Sequence, residues 1–283
     1  MKRYALGAGG APAEPCAFVT VDGARLAYQI WGEGVPVVCL HAIGHGAQDF
    51  APLAAQLGDG FQIIALDWPG QGRSDPDKVT VSAERYLTLL EGAVAQLGLD
   101  RFILIGNSIG GAAALLYAHK HRERVRGLVL ANPGGLAPIN WLARFVVGRM
   151  VAFFAAGERK AWWYGPAFRL YYRRILPRRA ARAQRRRIIA ARSEIAPVLR
   201  QAWESFAALE ADIRALGPDL RMPVLFAWAK RDQVVALSRS KKAIETFSDH
   251  RLELFDAGHS AFLEEPEKFA DVFRDFVARL PAP

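Results

Sequence analysis

Ser108, His259 and Asp232 are far apart in this 283-residue chain, yet each follows an apolar run. Together, such residues can transfer acyl groups. An imidazole takes the proton of a hydroxyl, which then attacks a carbonyl carbon. A carboxylate fixes the imidazole's tautomer and stabilises the imidazolium. Ser108 is the centre of Gly106-Asn107-Ser108-Ile109-Gly110, a G-x-S-x-G pattern between "RFILI" and the alanine-rich "GGAAALLYA". A strand that reverses at once into a helix forces its central residue into strained geometry and pushes that side chain past the strand end. The flanking glycines let helix and strand pass closely. The helix also aims free N–H groups and its positive end at the serine. An ordinary glycine-rich turn has the same letters, so it is the strand before and the helix after that favour a nucleophile.

The base must come from six histidines. His119 and His121 end a helical segment, and His250 sits in a polar turn. His41 and His45 belong to the loop after "VPVVCLH". His259, in "DAGHSAFLEEPEKF", falls between the last apolar run and the final helical segment, at the sheet edge expected for Ser108. It is the expected base. Asp232, after "VLFAWAKR", is the expected acid, against the plainer reading of a helix cap or an ion pair with Arg231. Asp256 is nearer His259 in sequence but belongs at a strand end, and Asn132 cannot supply a charge. The developing oxyanion needs donors. The backbone N–H of Ile109 is one, and that of Ile43, in "HAIGHGAQDF", is the expected second. No metal or cofactor is implied.

The elements that must hold these residues are short apolar runs separated by turn signals. "FVTVDGARLAYQIWG" reads as a hairpin about Asp22-Gly23. Buried strands are expected at "VPVVCLH", "FQIIALDWPG", "RFILIGNS", "RVRGLVLANPGG", "MPVLFAWAKRD" and "RLELFDAGH", with helical text between them. Such alternation argues for an α/β fold with a mostly parallel sheet covered on both faces. It breaks once. From about Gly135 to Gly217 the text is helical and rich in Trp, Tyr, Phe and Arg, which reads as an inserted cap. The expected organisation is a flexible N-terminus over 1–17, a core formed by 18–134 and 218–283, and a helical cap over 135–217.

The net charge of +9 suggests nucleic acid until its distribution is examined. Residues 135–220 hold 16 Lys+Arg against 6 Asp+Glu, so the rest of the chain sums to −1. The basicity belongs to the insertion. No nucleic-acid-binding motif is visible, and no nucleic-acid partner is expected. Three readings of these arginines stand: a solvated helical face, a surface for anionic membrane or acidic partners, or a grip on an anionic substrate group. The aromatic residues there (Trp141, Phe145, Phe153, Phe154, Trp162, Trp163, Tyr164, Phe168, Tyr171, Tyr172 and Trp203) either pack the cap helices or line an apolar or aromatic acyl pocket. Two cysteines make no disulfide framework. No apolar run reaches the roughly 20 residues of a membrane span. The glycine- and proline-rich start is unlike a signal peptide, so a cytoplasmic protein is expected.

"HAIGHG" after a strand, "DWPGQGRSD", "GNSIGG" and the Asp232…His259 pair occur in an order that resembles the serine hydrolases of the α/β-hydrolase superfamily. The resemblance spans about Thr20 to Leu280. It implies the α/β-hydrolase fold, an eight-stranded, mostly parallel sheet with a helical cap insertion, and a Ser108–His259–Asp232 triad. Serine at position 108 argues against the members that use aspartate there. Ala42 departs from the family's usual glycine. "GNSIGG" and "HAIGHGA" also resemble hydrolases that cleave carbon–carbon bonds in aromatic ring-fission products, though these usually have tryptophan where Ser260 stands. The leading expectation is a carboxylic ester or related acyl substrate, cleaved through an acyl-enzyme on Ser108. Carbon–carbon cleavage of a vinylogous diketo acid, lactone opening or perhydrolysis, and a non-catalytic receptor or membrane-surface scaffold are the alternatives.

Overall fold

A computed structural model describes residues 16–281; the expected N-terminal segment lies almost wholly outside them. Eight strands form one sheet in the order β1-β2-β4-β3-β5-β6-β7-β8. The strands are β1 (Ala17–Val21), β2 (Ala24–Trp31), β3 (Gly34–Leu40), β4 (Gly60–Leu66), β5 (Phe102–Asn107), β6 (Val125–Ala131), β7 (Val224–Ala229) and β8 (His250–Phe255). Asp22 and Gly23 both have positive φ, as a tight hairpin turn requires, and β1–β2 and β2–β4 pair antiparallel. All other pairings are parallel. β5 and β7 are buried at every residue, which is why they read as unbroken apolar runs.

The register brings one set of strand ends into line. Leu40 is level with Leu66 and Gly106, Asn107 with Ala131, and Ala131 with Ala227. From β3 the chain goes one way to β4, and from β5 it goes the other way to β6. Right-handed crossovers therefore put α1 (Ala51–Leu57) and α3 (Ile109–Lys120) on opposite faces and open a crevice between their strand ends. α10 (Pro266–Val277) joins α1, and α2 (Ala83–Gln96) joins α3. α8 (Leu237–Ile244) and the short α9 (Ala261–Glu264) flank β8.

Between β6 and β7 the described residues form helices and no strand: α4 (Trp141–Glu158), α5 (Tyr164–Ile175), α6 (Arg182–Ala190) and α7 (Ala196–Ser205). Phe154, Tyr164, Phe168, Tyr172 and Trp203 are buried among them. Trp141, Phe145, Trp162 and Trp163 are exposed instead, which neither sequence reading of the aromatic residues anticipates.

Candidate active site

Ser108 caps α3 with φ 56° and ψ −120°, a left-handed conformation that costs an ordinary residue about 1–3 kcal/mol. Neighbouring hydrogen bonds hold it there. Its N–H donates to Ala131 O (3.1 Å), and its carbonyl accepts from Ala112 N (3.0 Å) and Gly134 N (2.9 Å). The glycines beside it have no room to spare. A Cβ on Gly106 would lie 2.5 Å from Gly110 O, and one on Gly110 would lie 2.6 Å from Leu40 O. Ser108 thus sits at the end of β5 beside the end of β3, where the connections leave the sheet for opposite faces.

His259 follows β8 and is buried. Its Nδ1–H donates to Asp232 Oδ2 at 2.7 Å. Asp232 is held from both sides. Its Oδ1 accepts from Val234 N (2.6 Å) and Val235 N (3.0 Å), and its Oδ2 also accepts from Asn132 Nδ2 (2.5 Å). Asn132 in turn accepts from Ala229 N at 2.9 Å. Burial pushes the imidazole toward neutrality, but the charge and hydrogen bond of Asp232, with the charge of Glu264, outweigh it. The His259 pKa therefore lies above the ordinary histidine value. Asp256, the rejected acid, pairs with Arg178 and Arg231.

Two further groups fix the histidine loop. Buried Glu264 accepts from Gly258 N (2.8 Å) and His259 N (3.1 Å) with one oxygen, and from Arg178 N (3.2 Å) with the other. Ser260 Oγ donates to Asn107 Oδ1 (2.9 Å), and Asn107 Nδ2 donates to the His259 carbonyl (3.0 Å). Ser260 thus ties the His259 loop to the end of β5. Arg178, between α5 and α6, also donates to the Asp256 carbonyl at 2.5 Å, and any Cβ on Gly258 would collide with Ile175 O and Pro177. The insertion is therefore clamped to the loop that holds His259.

The loop after β3 is equally well braced. His41 Nδ1–H donates to Ala42 O (2.7 Å), and its Nε2 accepts from Trp68 N (2.9 Å). Burial brings its pKa down to about 3, so it is neutral. Gly44 N donates to Gln71 Oε1 at 2.6 Å. Asp67 accepts from Ala47 N (2.6 Å) and Arg73 N (3.0 Å), and burial pushes its carboxyl up to about 6. The N–H groups of Ile43 and Ile109 have no hydrogen-bond partner among the described residues.

Ser108 and His259 line one narrow cavity about 20 Å³ in volume, room for about one ordered water. Ile43, Tyr171, Tyr172, Leu199, Trp203 and Phe206 supply much of its apolar wall, and among the described residues no arginine lines it. The reading in which an arginine of the insertion grips a substrate anion therefore finds no support in the cavity wall. His45 does line it, with Nδ1 bonded to Asp49. The other Asp49 oxygen is buried without a partner among the described residues. Sequence reasoning named Ser108, His259, Asp232, Ile43 and Ile109. It set Asn132 aside as uncharged and missed Glu264 and the His45–Asp49 pair.

A strained serine at a strand–helix junction, with a histidine in its cavity bonded to an aspartate beyond a neighbouring strand, is the arrangement of an α/β-fold hydrolytic site. Residues 35–266 match the family model described as the alpha/beta hydrolase fold, and the chain belongs to that family. It is 26% identical over 269 residues to 2-hydroxy-6-oxo-6-phenylhexa-2,4-dienoate hydrolase of Comamonas testosteroni, covering 88% of this chain and 90% of that one. Among solved structures, it resembles an esterase from Exiguobacterium antarcticum (TM-score 0.79, 21% identity, 92% of this chain and 98% of that one). It also resembles an enol-lactonase from Burkholderia xenovorans LB400 (TM-score 0.74, 21% identity, 93% and 100%).

Proposed function

We propose that this protein is a serine hydrolase of carboxylic esters or related acyl compounds with an apolar or aromatic acyl group. The observation that carries the reading is the strained Ser108 facing the cavity of His259, whose far nitrogen is bonded to Asp232. Ser108 Oγ gives its proton to His259 Nε2 and attacks the carbonyl carbon. The N–H groups of Ile43 and Ile109 take up the charge on the oxygen; one such donor is worth about 3 kcal/mol of barrier. Asp232 stabilises the imidazolium, which then passes its proton to the leaving alkoxide. Water, deprotonated by His259, releases the acid from the acyl-enzyme.

The helices of residues 135–217 act as a cap. A cavity this narrow admits an acyl chain only when Tyr171, Tyr172, Trp203 and their helices give way. Cys16 and Cys39 are free thiols, which suits a reducing compartment, and we assign the enzyme to the cytoplasm. An alkyl fluorophosphonate tests the mechanism. It should label the folded protein and fail to label Ser108→Ala; a folded wild-type protein that resists labelling refutes the reading. Nitrophenyl esters of graded chain length then map the acyl preference.

The relative from Comamonas favours a second reading, carbon–carbon cleavage of a ring-fission product. In that case His45, and not an arginine of the cap, is what the cavity offers a substrate carboxylate. Against it, Ser260 stands in place of the tryptophan expected of such enzymes. Bleaching of a yellow ring-fission dienoate, with nitrophenyl esters left intact, selects this reading over the first.

A further inference from the structure

We infer that the outer face of α4 and α5 is a docking surface for anionic phospholipid bilayers. Trp141, Leu142, Phe145, Val146 and Arg149 recur at i, i+1, i+4, i+5 and i+8, one face of a helix. All five are exposed, while Val147 and Phe154 turn inward. Half-buried Phe153, still within α4 one turn beyond Arg149, links this face to the turn after the helix: its ring lies 6.1 Å from that of exposed Trp163, and exposed Trp162 adjoins that residue. With α4 18 residues long, the strip runs about 27 Å.

Trp141 is 78% exposed, Phe145 61% and Trp162 90%. These three rings alone present roughly 500 Å² of apolar surface, comparable with the largest apolar patch of a typical monomer, which is often functional. The cations of these two helices and of the turn between them are unpaired as well. Arg149, Arg159, Lys160, Arg169, Arg173 and Arg174 are exposed, and among the described residues none has a carboxylate within 4 Å. The one carboxylate on these two helices, Glu158, is taken by Arg200. The cations are dense enough that Arg173, Arg182 and Arg186 add to burial in lowering the pKa of Arg185.

Rings at the level of lipid headgroups with arginines reaching to phosphate is the chemistry of interfacial binding. A second copy of this chain would set these cations against themselves. An acidic protein or nucleic acid would leave Leu142 and Val146 without apolar cover. Negative headgroups over acyl chains satisfy both needs at once.

Flotation with phosphatidylglycerol/phosphatidylcholine vesicles at 0.1 M salt tests this, with intrinsic tryptophan fluorescence as a second readout. The protein should float with the anionic vesicles, with blue-shifted emission, and should leave them at 0.5 M salt. The variant Trp141→Ala/Trp162→Ala should bind at least tenfold more weakly. Arg169→Gln/Arg173→Gln/Arg174→Gln should lose about fivefold per charge. Both variants alter exposed side chains, so unchanged melting curves and fluorophosphonate labelling show that they are folded. Ser108→Ala should bind like the wild type, which keeps this result separate from the hydrolase reading. Equal binding to pure phosphatidylcholine, or no binding to either vesicle, overturns the proposal. So does dimerisation that Trp141→Ala/Trp162→Ala abolishes while vesicle binding persists, since the strip is then covered by a second copy.

Discussion

Replacing Ser108 by glycine should make the protein more stable while abolishing its activity. Ser108 is held at φ 56°, ψ −120° by bonds to Ala131, Ala112 and Gly134 that no substitution of its side chain removes. That conformation costs a residue with a Cβ about 1–3 kcal/mol, and glycine little. Glycine gives back about 0.5–1 kcal/mol through its freer unfolded chain. Ser108→Ala is the control, since it also lacks the hydroxyl but keeps the Cβ and the strain. At the middle of these ranges, about 2 less about 0.75, the difference between the two variants should be about 1 kcal/mol in favour of glycine. In a chain of this size that amounts to a few degrees in Tm. Urea unfolding and calorimetry measure it. A Ser108→Gly protein no more stable than Ser108→Ala would mean that the turn is unstrained and that the nucleophile owes its exposure to something else.

Asp232→Asn should lower kcat about 10⁴-fold, because an amide cannot hold the required tautomer, with the fold intact by circular dichroism. The base acts when neutral and its pKa is raised, so kcat/KM should climb with pH through a value above the ordinary 6.5 of histidine. Glu264 favours the charged imidazole, so Glu264→Gln should move that climb toward acid; a shift toward alkali, or none, would mean that its charge does not reach the ring. Gly258→Ala drives a Cβ into Ile175 O and Pro177, so it should destabilise the insertion by about 1–3 kcal/mol. Hydrogen exchange should then rise in α5 and α6 ahead of the sheet.

The inner parallel strands were legible because both faces of the sheet are buried there, so they appear as apolar runs ended by turn residues, and β1–β2 because its residues alternate about Asp22-Gly23. Ser108, His259 and Asp232 were legible because each follows such a run at the same edge. What escaped were groups defined only by distant partners. Asn132 looks inert until β7 brings Asp232 beside it, 100 residues later. Glu264 looks like any acidic residue of an "LEEPE" segment until its oxygen is found under the Gly258 and His259 amides. Ser260 lacks the expected tryptophan's bulk, and its bond to Asn107 spans 153 positions. The exposed Trp141 and Trp162 went unread because composition does not say which side of a helix faces water.

The clamp between Arg178, Glu264 and Gly258 makes the inserted helices and the His259 loop one mechanical part. In the hydrolase proposed above, lifting those helices far enough to admit a bulky guest would pull on the strip of chain that aims the imidazole. Entry and proton transfer would then be successive events.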